Sequence, residues 1–195
     1  MKNRQTLSGK FEEIIYARLE PGDDLLRALW EICSKHDVKT GILLDATGSM
    51  KNCVLQRFPH ESHGGAGIDI VDVQGPLEVS AHGIIGIGWV PDMSATPHPA
   101  ISRDGTTGFG FAGFEAHETP YCHVHITVTS PSQTVCGHLM EGSLLHPRPH
   151  PDKVDPITKR GNVPEHFSVV IAKVLGVVLR ATFDKSGFYH DIVPA

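Results

Sequence analysis

The residues best suited to chemistry in this chain are three histidines, His123, His125 and His138, carried by the segment YCHVHITVTSPSQTVCGH that runs from Tyr121 to His138. Alternate side chains of a strand share a face, so His123 and His125 project together. Pro131 and Ser132 fill the centre of a β-turn closed by Ser130 and Gln133, and counting along the return strand sets position 138 opposite position 125. Directly opposed Cβ atoms lie about 4.5–5.5 Å apart. A face of three imidazoles is therefore predicted. Zn²⁺ takes such nitrogens at about 2.0–2.1 Å in tetrahedral geometry, and three histidines with the fourth position open are the pattern of a catalytic or exchangeable site. The fourth ligand is left open between water, a carboxylate and Cys136, which the same register puts on the histidine face. Water held there would have its pKa drawn toward about 7, and hydrolysis becomes chemically accessible.

A histidine that binds a metal normally donates its other N–H to a carboxylate or carbonyl. Glu78 and His82 on another strand, and Glu115, His117 and Glu118 just before the hairpin, are the candidates for that role or for a general base. The glycine-rich stretch from Gly105 to Gly113 lacks the Lys-Ser/Thr of a phosphate loop and its strand-to-helix setting, so it predicts no nucleotide site. Phe109, Phe111 and Phe114 instead suggest a lid or contact surface. The histidines of 60–63 and 146–150 sit among prolines and polar residues and read as solvated loop positions.

The elements that must position the hairpin are mostly strands. Phe11 to Leu19 is strand-like and ends at Pro21-Gly22. Asp23 and Asp24 then stand where acidic groups favour a helix start, and Leu25, Leu26, Leu29, Trp30 and Cys33 recur at helical spacing up to His36-Asp37. Trp30 reads as part of an amphipathic helix covering a sheet. Residues 40–48 predict a strand running into a glycine turn, with 52–58 as its return strand. Further strands are predicted at 68–73, at 75–88 where glycines interrupt β-branched residues, and within 166–183, where Gly176 marks a bulge or turn. The stretches at about 89–120 and 146–165 are rich in proline and glycine and read as insertions. Residues 184–195 read as a short, loosely held tail.

With 195 residues the chain is expected to form a single domain, 1–195, with a full core. Hydrophobic and charged contents of 40% and 20% are ordinary globular values and exclude a disordered class. No apolar run is long enough to span a membrane, and the start of the chain lacks the apolar core of a secretory signal, so a cytoplasmic location is expected. The cysteines at 33, 53, 122 and 136 have no paired spacing and are expected to stay reduced. A net charge of −5 argues against a general electrostatic hold on nucleic acid.

Four pieces in order, Arg18-Leu-Glu-Pro-Gly22 with the helix after it, Thr47-Gly-Ser49, Gly75-Pro-Leu-Glu-Val79, and His123-Val-His125 with Gly137-His138, resemble the plants-and-prokaryotes conserved (PPC) domain. The resemblance implies an α/β (α+β) fold with a large, mainly antiparallel sheet, one main helix packed on it, and assembly as a homotrimer. It also implies zinc at the matching histidines, His123, His125 and His138, near a subunit boundary. In plants the domain follows Arg-Gly-Arg segments that enter the minor groove, and prokaryotic members are often labelled DNA-binding. This chain has no Arg-Gly-Arg, and it has Cys136 where a glycine is usual. The function expected is metal binding by a regulatory trimer linked to DNA directly or through DNA-binding proteins. A zinc-dependent enzyme acting on a small-molecule ligand and a purely structural trimer are the alternatives.

Overall fold

From Cys122 to Val128 every second residue of the histidine segment is apolar, and the sheet is built on that alternation. The computed structural model describes residues 5–57, 69–88, 119–147, 166–183 and 190–195. Within them the elements are β1 (Lys10–Arg18), α1 (Leu25–Lys35), β2 (Gly41–Arg57), β3 (Asp69–Gly88), β4 (Thr119–Ser130), β5 (Gln133–Leu139), β6 (Phe167–Leu175), β7 (Leu179–Phe183) and β8 (His190–Pro194). The strands form one sheet in the order β1-β6-β2-β5-β4-β3-β7-β8, antiparallel except where β3 meets β7. Because β2 also pairs with β3, the strands β2, β3, β4 and β5 close into a ring. This is the expected fold class, a mainly antiparallel sheet with one helix. The predicted insertions and glycine-rich loop, with Phe109, Phe111 and Phe114, lie wholly or largely outside the described residues.

On β4, Cys122, Val124, Ile126 and Val128 are buried, while the residues between them face outward. The inward set meets Leu43, Met50 and Leu55 of β2, Leu77 and Ile85 of β3, Val169 and Ile171 of β6, and Leu25, Leu29 and Cys33 of α1 in one core. Fully burying a side chain of this size contributes roughly 1.5–3 kcal/mol, so this apolar side of the sheet is fixed and the opposite side is presented to solvent.

The helix begins where Asp24 accepts hydrogen bonds from the backbone N–H groups of Leu26 and Arg27, at 3.0 and 3.2 Å. These satisfy amides that a helix start leaves without partners. The other carboxylate oxygen of Asp24 accepts from Gly142 N–H at 2.6 Å. A single side chain thus ties the helix to the segment that follows β5. Arg27 donates from Nε to Glu141 at 2.7 Å and reinforces the same junction. The helix ends at His36, and Asp37 takes a positive φ of 49° as Val38 N–H returns to Cys33 C=O at 2.8 Å.

Two sequence expectations are corrected. Residues 40–58 form no hairpin: Gly41–Arg57 is a single strand of 17 residues. Gly48 serves close packing there, since a Cβ on it would collide with His166 O and the Phe167 backbone and ring at the start of β6. The described end of the tail, 190–195, is also not loose, because His190–Pro194 pairs along β7, from Leu179↔Pro194 to Phe183↔His190. Gly176 does make the turn between β6 and β7, at a φ of 82°.

On the outward side, the cross-strand row Ile14–Ala172–Ile42–Ile84 runs over β1, β6, β2 and β3 and ends at His123 of β4. Ile14, Ile42 and Ile84 are 53%, 37% and 46% exposed, and Tyr16 and Leu44 add to the patch at 66% and 45%. The histidines therefore border an apolar face.

Asp24→Ala is expected to lower the unfolding free energy by about 1–2 kcal/mol in urea melts, the upper part of the range for a lost helix cap. Gly83→Ala is expected to cost about 1–3 kcal/mol in the same assay, because its Cβ would press on His123 O and on Val124 Cα at 2.9 Å.

Candidate metal centre

The turn at Pro131 and Ser132 closes with Ser130 paired to Gln133, and the register continues through Thr129↔Thr134 and Thr127↔Cys136 to His125↔His138. His138 thus returns beside His125 as the sequence predicts. One ligand nitrogen from each of His123, His125 and His138 lies within 4.8 Å of the others. The ring centroids of His123 and His138 are 4.9 Å apart with planes at 83°, and those of His123 and His125 are 5.3 Å apart and stacked.

Two glycines bring the flanking strands in close. A Cβ on Gly137 would stand 2.5 Å from Gln56 O, so β5 can approach β2 immediately beside His138. At Gly83 the strand β3 runs equally close to β4, immediately beside His82. Their missing side chains compress the sheet under the histidines.

The donor set suits zinc. Two ligands of a tetrahedral zinc ion stand about 3.3 Å apart, so small ring rotations would bring the three nitrogens to that spacing. Half-buried Gln56 supplies a second test of fit: its Oε1 is buried with no hydrogen-bond partner among the described residues, and Gln56 is the cross-strand partner of His138. A buried acceptor in that position suits the N–H of a histidine whose other nitrogen binds metal. Burial, and after it the charge of His82, holds the His125 pKa below its ordinary value. The neutral ring is the form that offers a lone pair to a metal.

The other candidates fall at stated distances along the sheet. Cys136 shares the outward face but is exposed, lies opposite Thr127, and is not in the three-donor group. Glu78 pairs with Thr129, two rows from His125, and there it lines a cavity of about 600 Å³ with Ser49, Pro76 and His166. Glu115, His117 and Glu118 lie outside the described residues. His82 is the direct cross-strand partner of His125 on the side away from His138. Its place was hidden in the sequence because β3 and β4 are not joined by a short turn. Gln56 was missed altogether, and only the β2–β5 pairing reveals it. Cys33, Cys53 and Cys122 lie in the apolar core rather than with the three-histidine group; burial pushes the Cys53 thiol up to about 12, and a hydrogen bond with Cys33 followed by burial raises Cys122.

Known proteins of the same fold can now be set beside this geometry. A metal-containing protein from Archaeoglobus fulgidus superposes with a TM-score of 0.62 at 14% identity, over 97% of this chain and 99% of that one. A plant- and prokaryote-conserved (PPC) protein from Pyrococcus horikoshii gives 0.60 at 16% identity, over 94% of each chain. A protein from Ralstonia eutropha JMP134 with a provisional DNA-binding label gives 0.54 at 14% identity, over 91% and 89%. At such identities the likeness concerns the fold. No curated protein matches the sequence. Residues 6–113 match the family described as the Plants and Prokaryotes Conserved (PCC) domain, and since that is more than half of its length, the chain belongs to this family.

Proposed function

We propose that the chain is a zinc-binding, homotrimeric protein with a regulatory role, forming a single domain over 1–195 with insertions at 89–120 and 146–165. The observation that carries the metal reading is the set of three imidazole nitrogens from His123, His125 and His138 within 4.8 Å on one face of the sheet. The buried Oε1 of Gln56 beside His138 supports it, as does the metal-containing protein of the same fold. Bound zinc would supply a doubly charged centre that locks two adjacent strands. The chain's own contribution is to hold His123 and His125 on β4 and to return His138 against them.

The trimer reading rests on the outward apolar row. Exposed Ile14, Tyr16, Ile42, Leu44 and Ile84 form a patch reaching His123, and large contiguous apolar patches mark interaction surfaces. A second copy of the chain would cover it and place the metal near the subunit boundary. Any connection with DNA runs through partner proteins. The provisional label belongs to the Ralstonia relative, and a net charge of −5 opposes direct phosphate contact.

The second reading, a zinc-dependent enzyme for a small molecule, is favoured by the cavity of about 600 Å³ beside Glu78, a volume in the range of ligand sites. That cavity stands two rows from His125.

Purified protein is expected to carry close to one zinc per chain by elemental analysis, and His125→Ala to lose it; stoichiometric zinc in that variant would sink the three-histidine assignment. Light scattering is expected to give about three times the 21.2 kDa chain mass, falling toward one chain for Ile84→Glu. In gel shifts at physiological salt the isolated protein is expected to leave both A·T-rich and mixed duplexes unretarded.

A further inference from the structure

The three-histidine centre leaves one coordination position, and the sheet has a fourth imidazole beside it. β4 is flanked by β5 on one side and β3 on the other. His138 and His82 are its two cross-strand neighbours at His125, so His82, His125 and His138 stand side by side in one row. Opposed Cβ atoms in such rows are about 4.5–5.5 Å apart. At Gly83, the residue after His82, β3 runs close against β4, since a Cβ there would meet His123 O and the Val124 backbone.

The position of the ion discriminates between the available fourth donors. A point equidistant from the nitrogens of His123, His125 and His138 lies between the row of His125 and the row of His123. Cys136 belongs to the next row on the far side, opposite Thr127. At about 3.4 Å per residue it lies roughly 10 Å away along the strand, beyond the reach of a short thiol. His82 lies about a third of that distance along the strand and about one strand spacing, roughly 4.8 Å, to the side of β4. Its ring also reaches further from the backbone than a thiol does.

His82 is exposed, and no hydrogen bond or ion pair with a described residue fixes its ring. Its nitrogens are outside the 4.8 Å group, so joining it takes a side-chain rotation. On that flank the β3 residue facing His123 is Ile84, which offers no ligand atom. The carboxylate of Glu78 lies two rows off.

We propose that His82 is the fourth ligand, so that zinc is held by His82, His123, His125 and His138 in a closed shell of four imidazoles. This rests on the three-histidine reading and extends it. Four protein ligands are the mark of structural zinc, whereas catalytic zinc keeps a position for water or substrate. The centre would then pin three adjacent strands, β3, β4 and β5, and would not activate water.

The test is cobalt(II) substitution of the full-length protein, with azide as a probe for an open position. The visible spectrum of the wild-type cobalt protein should be tetrahedral and indifferent to azide. His82→Ala should still bind cobalt, with affinity lowered on the order of 100-fold, the upper end of the loss seen when even an outer partner is removed, and its spectrum should shift with azide. His82→Gln, which keeps the size and polarity of this exposed position, should behave likewise. An azide response in the wild type, or unchanged affinity and spectrum in both variants, would overturn the fourth-ligand assignment while leaving three histidines with an open site. Failure of the wild type to bind cobalt or zinc would overturn the three-histidine reading and this inference with it.

Discussion

A slip of one residue between β4 and β5 would turn His138 from the outward face to the core. Side chains alternate with a strict period of two, so register alone decides which face receives a ring. Here the register is fixed twice, by the tight turn from Ser130 to Gln133 and by the apolar residues Val124, Ile126 and Val128, which are fully buried on the opposite face. Moving the histidines would mean exposing that core. The imidazole cluster is held in place by burial on the other side of its own strand.

The ring of β2, β3, β4 and β5 extends that constraint. β5 meets β2 through Leu55↔Leu139 and Gln56↔His138, while β2 runs along β3 for most of its length. A shift of any strand in the ring would disturb both of its neighbours. Around the junction, the single O–H of Ser143 has Met140 O at 2.7 Å and Val54 O at 3.0 Å as acceptors, its Oγ accepts from Val54 N–H at 2.9 Å, and the Ser143 backbone C=O accepts from Leu25 N–H at 2.9 Å. The end of the histidine strand, the middle of the sheet and the start of the helix are thus joined by a few buried polar groups.

What the sequence disclosed depended on range. The helix was legible because Asp24 and the spacing of Leu25, Leu26, Leu29 and Cys33 are local. The pairing of His125 with His138 was legible because a short turn fixes it. The neighbours His82 and Gln56 were not, since their strands reach the hairpin across long separations and nothing in a single sequence records such a register. Gly48 misled for a related reason: a glycine that admits a neighbouring strand looks the same in sequence as one that turns the chain, and only the path of β6 tells them apart. The final strand was missed because its partner β7, rather than its own composition, gives it a place.

The pairing of β1 with β6 joins Lys10 to Leu175 and Arg18 to Ser168, near opposite ends of the chain. During synthesis β1 is among the first elements to emerge, yet its partner is among the last. Until β6 arrives, the backbone of β1 has no paired strand, whereas the β4–β5 hairpin can close over a two-residue turn as soon as it is made. Ordering over such separations is slow compared with local pairing. An edge left unpaired over so long a separation stays open to other chains until β6 has been made.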